Sequence, residues 1–273
     1  MKSQVERASE FSALHQQSQP FVIPNAFDAG TARLLESFGF DAIATTSAGL
    51  AFSLGARDGA AGLDATLANC RAICAAVDVP VSADFENGFA DDPRAAAKNL
   101  CAAAETGLAG GSIEDATGNP SAPIYDFGLA VERVHAAVEA VRALPFPFTL
   151  TARAENFLHG RSDLDDTLRR LQAFEKAGAD VLYAPLLPNE DAIRTVVSSV
   201  GKPVNVLVSS GNASLTYDRL AALGVTRISV GGALSRAAFT GVANAAREIK
   251  ERGIFTYSTG LLSSSQLEEI FRS

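Results

Sequence analysis

The chain holds 273 residues, 47% of them apolar, with a formal net charge of −8 and a pI near 5.0. That length and apolar content suit one large α/β domain with a sizeable core. The acidic balance argues against nucleic acid or an anionic membrane surface as a partner, and no run is apolar enough to span a bilayer.

The N-terminal segment lacks the apolar core of a signal peptide, which points to a cytoplasmic protein. It reads as a polar helix over residues 4–16, with Phe11 and Leu14 on one side. Apolar, β-rich runs then alternate with amphipathic stretches. Strands are expected over residues 21–24, 42–46, 81–85, 111–114, 148–153, 181–184, 204–208 and 227–230. Helices are expected over 30–38, 63–77, 92–106, 129–144, 164–177, 189–200, 215–223 and 235–250. Glycines just past several helices, as in Phe38-Gly39, Ala177-Gly178 and Leu223-Gly224, supply left-handed caps. Pro80 and Pro203 open strands, where a missing N–H costs little. Cys70, Cys74 and Cys101 lie in alanine-rich helical stretches and read as reduced core thiols.

Eight strand–helix repeats with near-continuous apolar strands predict an α/β fold of the closed parallel (β/α)8 TIM type. A doubly wound sheet accounts less well for the strand count. No linker divides the chain, so residues 1–273 read as one barrel domain, with 1–19 as an N-terminal helix and 253–273 as a helical tail. In the tail helix, 264–271, Leu267, Ile270 and Phe271 need cover from the barrel or a neighbouring subunit.

Parallel barrels place their chemistry at the C-terminal ends of the strands. Here those ends include Thr46-Ser47, Asp84-Phe85-Glu86, Glu114-Asp115 and Arg153-Ala154-Glu155. Asp84, Glu86 and Glu114 on one rim repel one another, which raises their pKa values. A hard divalent cation such as Mg²⁺ removes the repulsion, because it prefers oxygen ligands. One guanidinium, Arg153, cannot balance five nearby carboxylates, which weighs against a purely structural ring of ion pairs. The pattern points to a metal-dependent enzyme acting on an anion.

The ordered runs Thr46-Ser47-Ala48-Gly49, Leu54-Gly55-Ala56-Arg57-Asp58, Ala83-Asp84-Phe85-Glu86-Asn87-Gly88, Ile113-Glu114-Asp115 and Ala152-Arg153 give the chain a further identity. Together they make it resemble the phosphoenolpyruvate mutase/isocitrate lyase superfamily over nearly its whole length. The resemblance implies a (β/α)8 barrel, a Mg²⁺ site (Mn²⁺ in its place at need), and homodimers or homotetramers that exchange C-terminal helices. By matching position it implies that Asp84, Glu86 and Glu114 hold the metal, with Asp58 in the shell. It also implies that Ser47, Ala48 and Gly49 bind the substrate carboxylate, and that Arg153 clamps the anionic end. Asn119 and Asn205 complete the expected substrate-binding set, and Arg153, Asp58 and Ser47 the catalytic one.

The chain departs from that pattern after the fourth strand. The isocitrate-type lyases carry a cysteine-bearing loop there, whereas the segment from Asp115 to Asp126 has no cysteine, lysine or histidine. The leading expectation is therefore Mg²⁺-dependent lysis of a bond to C3 of a small 2-oxo acid, such as oxaloacetate. The alternatives are carbon–phosphorus cleavage or transfer on phosphonopyruvate, and a non-catalytic metabolite-binding barrel. A sugar-phosphate aldolase or isomerase, suggested by Gly231-Gly232 and Ser209-Ser210-Gly211, lacks a lysine at any strand's C-terminal end. His159 follows the fifth expected strand and reads as a surface loop residue in preference to a general acid–base; His15 and His135 read as structural.

Overall fold

The opening stave of the sheet breaks at Pro24, which has no N–H to give a neighbour. In this computed structural model, which describes residues 2–212 and 214–272, two short strands flank that break: β1 (Phe21–Ile23) and β2 (Asn25–Ala26). β2 pairs in parallel with β3 (Ile43–Thr45), which leads through β4 (Val81–Ala83), β5 (Gly110–Glu114), β6 (Thr149–Arg153), β7 (Val181–Tyr183) and β8 (Val204–Leu207) to β9 (Arg227–Ser229). β9 returns in parallel to β1, so one split stave closes the barrel. The eight expected strands thus become nine among the described residues, divided by one proline.

β5 and β6 end at the rim where expected, at Glu114 and Arg153, but other strands end one or two residues earlier than their apolar runs suggest. β4 stops before Asp84 because the Asp84 N–H donates to the Thr45 hydroxyl (2.9 Å) instead of extending the ladder. Glu86 then turns the chain with φ 46°. Ser47, expected at a strand end, opens a short helix that the sequence pattern did not show, α3 (Ser47–Ser53), capped by the Thr46 side chain.

α1 (Gln4–Leu14) lies across the N-terminal end of the barrel, where Phe11 and Leu14 pack with Phe21, Ile23, Ala42 and Ala109. The outer layer comprises α2 (Ala29–Ser37), α4 (Leu63–Ala76), α5 (Pro93–Ala104), α6 (Phe127–Arg142), α7 (Leu164–Ala177), α8 (Glu190–Ser199) and α9 (Tyr217–Ala222). Its apolar stripes meet the sheet in one core that includes Ile73, Leu100, Phe148, Leu150 and Phe174. Asp28, Asp92 and Asp163 cap the helices that follow them, each accepting a backbone N–H.

The helix after the last strand differs from the expectation. α10 (Ala233–Arg252) buries only Ser235 and exposes Leu234, Phe239, Val242 and Ile249. The tail helix α11 (Ser264–Phe271) lies on α2, where Arg33 donates to the Phe271 carbonyl at 2.9 Å. Leu267 and Ile270 are half-buried there, while Phe271 stays exposed. Among the described residues no helix is long and apolar enough to cross a membrane. Met1 and Ser273, the outer limits of the expected domain, lie outside the described residues.

Candidate active site

Asp84 is the hub of the rim. Arg153, at the end of β6, donates to its Oδ1 at 2.6 Å. Ser47 donates to Oδ2 with both its backbone N–H and its hydroxyl, each at 3.0 Å. Arg153 also reaches Glu114 Oε2 at 3.0 Å and Glu155 Oε1 at 2.8 Å, with its guanidinium 5.1 Å above the Tyr183 ring. β5 and β6 pair Glu114 directly with Arg153, so strand register alone brings these two together. The residues expected at one rim from three separate runs do converge.

Charge is unbalanced there. Burial, then Asp84 and Asp58, push the Glu86 carboxyl up to about 7. Burial holds Glu114 well above the usual carboxylate range despite the opposing pull of Arg153. Partial desolvation and then Asp84 raise Asp58. Glu155 is fully buried; burial raises it to about 7, and its Oε2 lacks a partner among the described residues. One guanidinium among five carboxylates leaves a deficit of positive charge.

Beside this cluster a cavity of about 170 Å³ runs into the barrel. Ser47, Ala48, Asp58, Asp84, Arg153, Tyr183, Asn205 and Arg227 are among its walls. Several expected positions differ. Gly49 is buried and does not line the cavity; its amide donates to the Thr46 hydroxyl at 3.2 Å, and a Cβ there would meet Phe27 at 2.7 Å. With the Ser47 amide on Asp84, the expected three-residue backbone cradle is largely occupied by the chain itself. Asn119 is exposed on the loop after β5 and turns back on that loop, its Oδ1 accepting from the Ser121 amide at 3.0 Å. It is not a wall of the cavity, because a bridge between Ala116 and Ile124 closes the loop upon itself. Glu86 and Glu114 are also not among the lining residues. His159 is exposed on the rim, as a surface residue would be.

The donor set consists of carboxylate oxygens on neighbouring strand ends, which is the chemistry a hard cation requires. Among the described residues no three of these side chains stand in a ready-made metal cluster. Arg153 explains this, since one of its nitrogens takes an oxygen of both Asp84 and Glu114. Each carboxylate keeps further lone pairs. The residues therefore suit the metal in kind and in charge, without being arranged around one.

Three participants stand outside the expected site set. Glu155 reads in the sequence as a rim carboxylate able to pair with Arg153, with no site role of its own. Tyr183 looked like one more apolar strand residue. Arg227 is a charged residue inside the run Val225 to Val230, in step with Ser229, and that interruption was the available signal.

Comparison with known proteins agrees with the geometry. Residues 11–250 match the phosphoenolpyruvate phosphomutase family. A solved protein of Burkholderia cenocepacia J2315, provisionally described as a lyase/mutase, is 52% identical with a TM-score of 0.96, covering 99% of this chain and 97% of that one. An uncharacterized protein of Mycobacterium tuberculosis is 32% identical over 88% of this chain and 89% of its own length. The 2-methylisocitrate lyase of Escherichia coli K12 is 28% identical over 84% of this chain and 80% of its own. The chain belongs to the phosphoenolpyruvate phosphomutase family, within the phosphoenolpyruvate mutase/isocitrate lyase superfamily of lyases and mutases.

Proposed function

We propose that this protein is a Mg²⁺-dependent lyase that cleaves a bond to C3 of a small 2-oxo acid, with oxaloacetate as the simplest substrate. The observation that carries this reading is the convergence of Arg153 and Ser47 on Asp84 at the mouth of a small cavity. A phosphonopyruvate hydrolase of the same fold holds oxalate and Mg²⁺, which supports the choice of metal and of ligand shape. Asp84, Glu86 and Glu114 would hold the metal, with Asp58 beside them. When bound, Mg²⁺ supplies Lewis-acid charge that favours an enolate. Arg153 grips a carboxylate of the substrate and fixes its orientation. Ser47 holds Asp84 in place through two hydrogen bonds. In oxaloacetate the C3–C4 bond breaks, its electron pair passes into the enolate, and carbon dioxide leaves. C3 then takes a proton from solvent or from the Tyr183 phenol, which burial keeps un-ionised.

The test is pyruvate formation from oxaloacetate and 3-substituted 2-oxo acids with Mg²⁺ or Mn²⁺, abolished by chelation. No metal-dependent product from any of them rejects the reading. The match to a phosphomutase family favours a second reading, carbon–phosphorus cleavage or transfer; phosphate release from phosphonopyruvate would select hydrolysis. Binding of Mg²⁺ and oxalate without any turnover would leave a metabolite-binding barrel. The exposed apolar residues of α10 and of Phe255, Leu261 and Leu262 support a homodimer or homotetramer that covers them with a second copy, measurable by light scattering.

A further inference from the structure

TIM-type barrels fill their interior with layers of branched apolar side chains. Here Ser82, Ser112, Asn205 and Ser229 line the cavity below Asp84, and Arg227 forms its floor. Arg227 begins β9, level with Phe21 and Asn205 at the N-terminal side of the sheet, and is 5% exposed. Its Nε donates to Asn205 Oδ1 at 2.9 Å and its Nη2 to Thr151 Oγ1 at 3.0 Å. Its Nη1 lies 3.4 Å from His15 Nε2.

All three partners are neutral. His15 Nδ1 is 2.8 Å from the Phe11 carbonyl, which can only accept, so Nδ1 carries the proton and Nε2 the lone pair. Burial and the Arg227 charge hold the His15 imidazole down at about 3. Among the described residues no carboxylate comes within 4.0 Å of Arg227. A guanidinium has five N–H donors, and three directions are engaged here. Burial lowers Arg227 to about 10, which still leaves it charged at neutral pH. A buried cation without a counter-ion is costly, and this one faces a cavity whose other end carries Arg153.

We propose that Arg227 is an anion-recognition residue that receives a second carboxylate of the substrate, at the opposite end of the cavity from the carboxylate held by Arg153. The assignment rests on the lyase reading for the identity of the ligand. It selects 2-oxo diacids over the 2-oxo monoacids of equal carbon count. For oxaloacetate the grip acts on the carboxylate that departs as carbon dioxide. It therefore stabilises the bound substrate more than the transition state, and its loss should appear in KM and not in kcat.

The test is calorimetry with Mg²⁺ present, using two matched pairs: oxaloacetate against 2-oxobutyrate, and 2-oxoglutarate against 2-oxovalerate. In the unaltered protein the diacid of at least one pair should bind tenfold or more tightly than its partner. In Arg227→Met that difference should vanish while oxalate binding is kept, and KM for oxaloacetate should rise at least tenfold with kcat held or increased. Equal affinity within both pairs overturns the proposal, as does an equal loss of oxalate and diacid binding in folded Arg227→Met. Should Arg227→Met fail to fold, the preference of the unaltered protein, read beside Arg227→Lys, decides. Diacid preference without turnover of any 2-oxo acid would sink the lyase reading and leave this site standing.

Discussion

Arg153 and Arg170 stand on either side of the connection between β6 and α7, and both meet several acids, yet they are built in opposite ways. Arg170 donates to Asp115 Oδ2 at 2.9 Å, Asp166 Oδ2 at 2.7 Å and the Tyr125 carbonyl at 3.0 Å. The other oxygen of Asp115 accepts from the Glu155 amide at 2.8 Å. Every partner there is satisfied, and neither Arg170 nor Asp115 lines the cavity. Arg153 instead serves three carboxylates, leaves Glu155 Oε2 unpartnered among the described residues, and sits beside the carboxyls that burial pushes upward. A balanced buried network holds a loop to a helix. An acid-rich one beside a cavity is poised to take up a cation and an anion.

The sharpest way to break this contrast is Asp84→Ala. Removing the hub should lower metal-dependent turnover by roughly 10⁴-fold or more, as loss of a residue acting in a concerted site does. Arg153 keeps Glu114 and Glu155, so circular dichroism and the melting temperature should stay close to those of the unaltered protein. Full activity in that variant would refute the metal assignment.

Arg170→Ala should do the reverse. Leaving Asp115 buried without its cation should cost about 3–5 kcal/mol in urea unfolding, while kcat/KM per folded molecule changes little. A stability loss from Asp84→Ala as large as that from Arg170→Ala would erase the distinction between the two networks.

Arg153→Ala should fall between them. Losing a charged hydrogen-bonded clamp is expected to reduce kcat/KM by about 10- to 100-fold, mainly through KM. Steady-state kinetics with the preferred 2-oxo acid would measure it.

The smallest effect concerns the third buried arginine, Arg227, through its neutral neighbour His15. Arg227 is the charged group that faces the imidazole, and Phe11 and Phe21 enclose it edge-on. Above pH 6.5 the imidazole is neutral in both folded and unfolded chains. Below that, the unfolded chain takes a proton that the folded one refuses down to about pH 3. Stability from this group therefore falls with acidification, by roughly 2 kcal/mol between pH 6.5 and 5. His15→Gln should remove that share of the pH dependence in urea melts at the two pH values. An unchanged slope would show that His15 is not held neutral.

The sequence disclosed the alternation of strands and helices because apolar periodicity is local. It also disclosed the acidic rim, since strand ends deliver their charges in a fixed direction. It misses the C-terminal end of β4 and the whole of α3, because side chains capture the backbone there: Thr45 takes the Asp84 amide, and Thr46 caps the new helix. Asn119 was expected at the site from its place after a strand, but a turn formed by its own neighbours keeps it on the surface.

By itself the sequence indicated a (β/α)8 barrel through its apolar period and, through the resemblance carried by its ordered motifs, the family and the expectation that Asp58, Asp84, Glu86, Glu114 and Arg153 form the site. Only the tertiary structure decided that Arg153 bridges Asp84 and Glu114, that Glu155 is trapped beneath it, and that Arg227 faces a polar cavity without a carboxylate partner among the described residues. Those facts depend on which side chains meet across the closed barrel, and on how far burial strips water from each charge, neither of which is a property of any one stretch of chain.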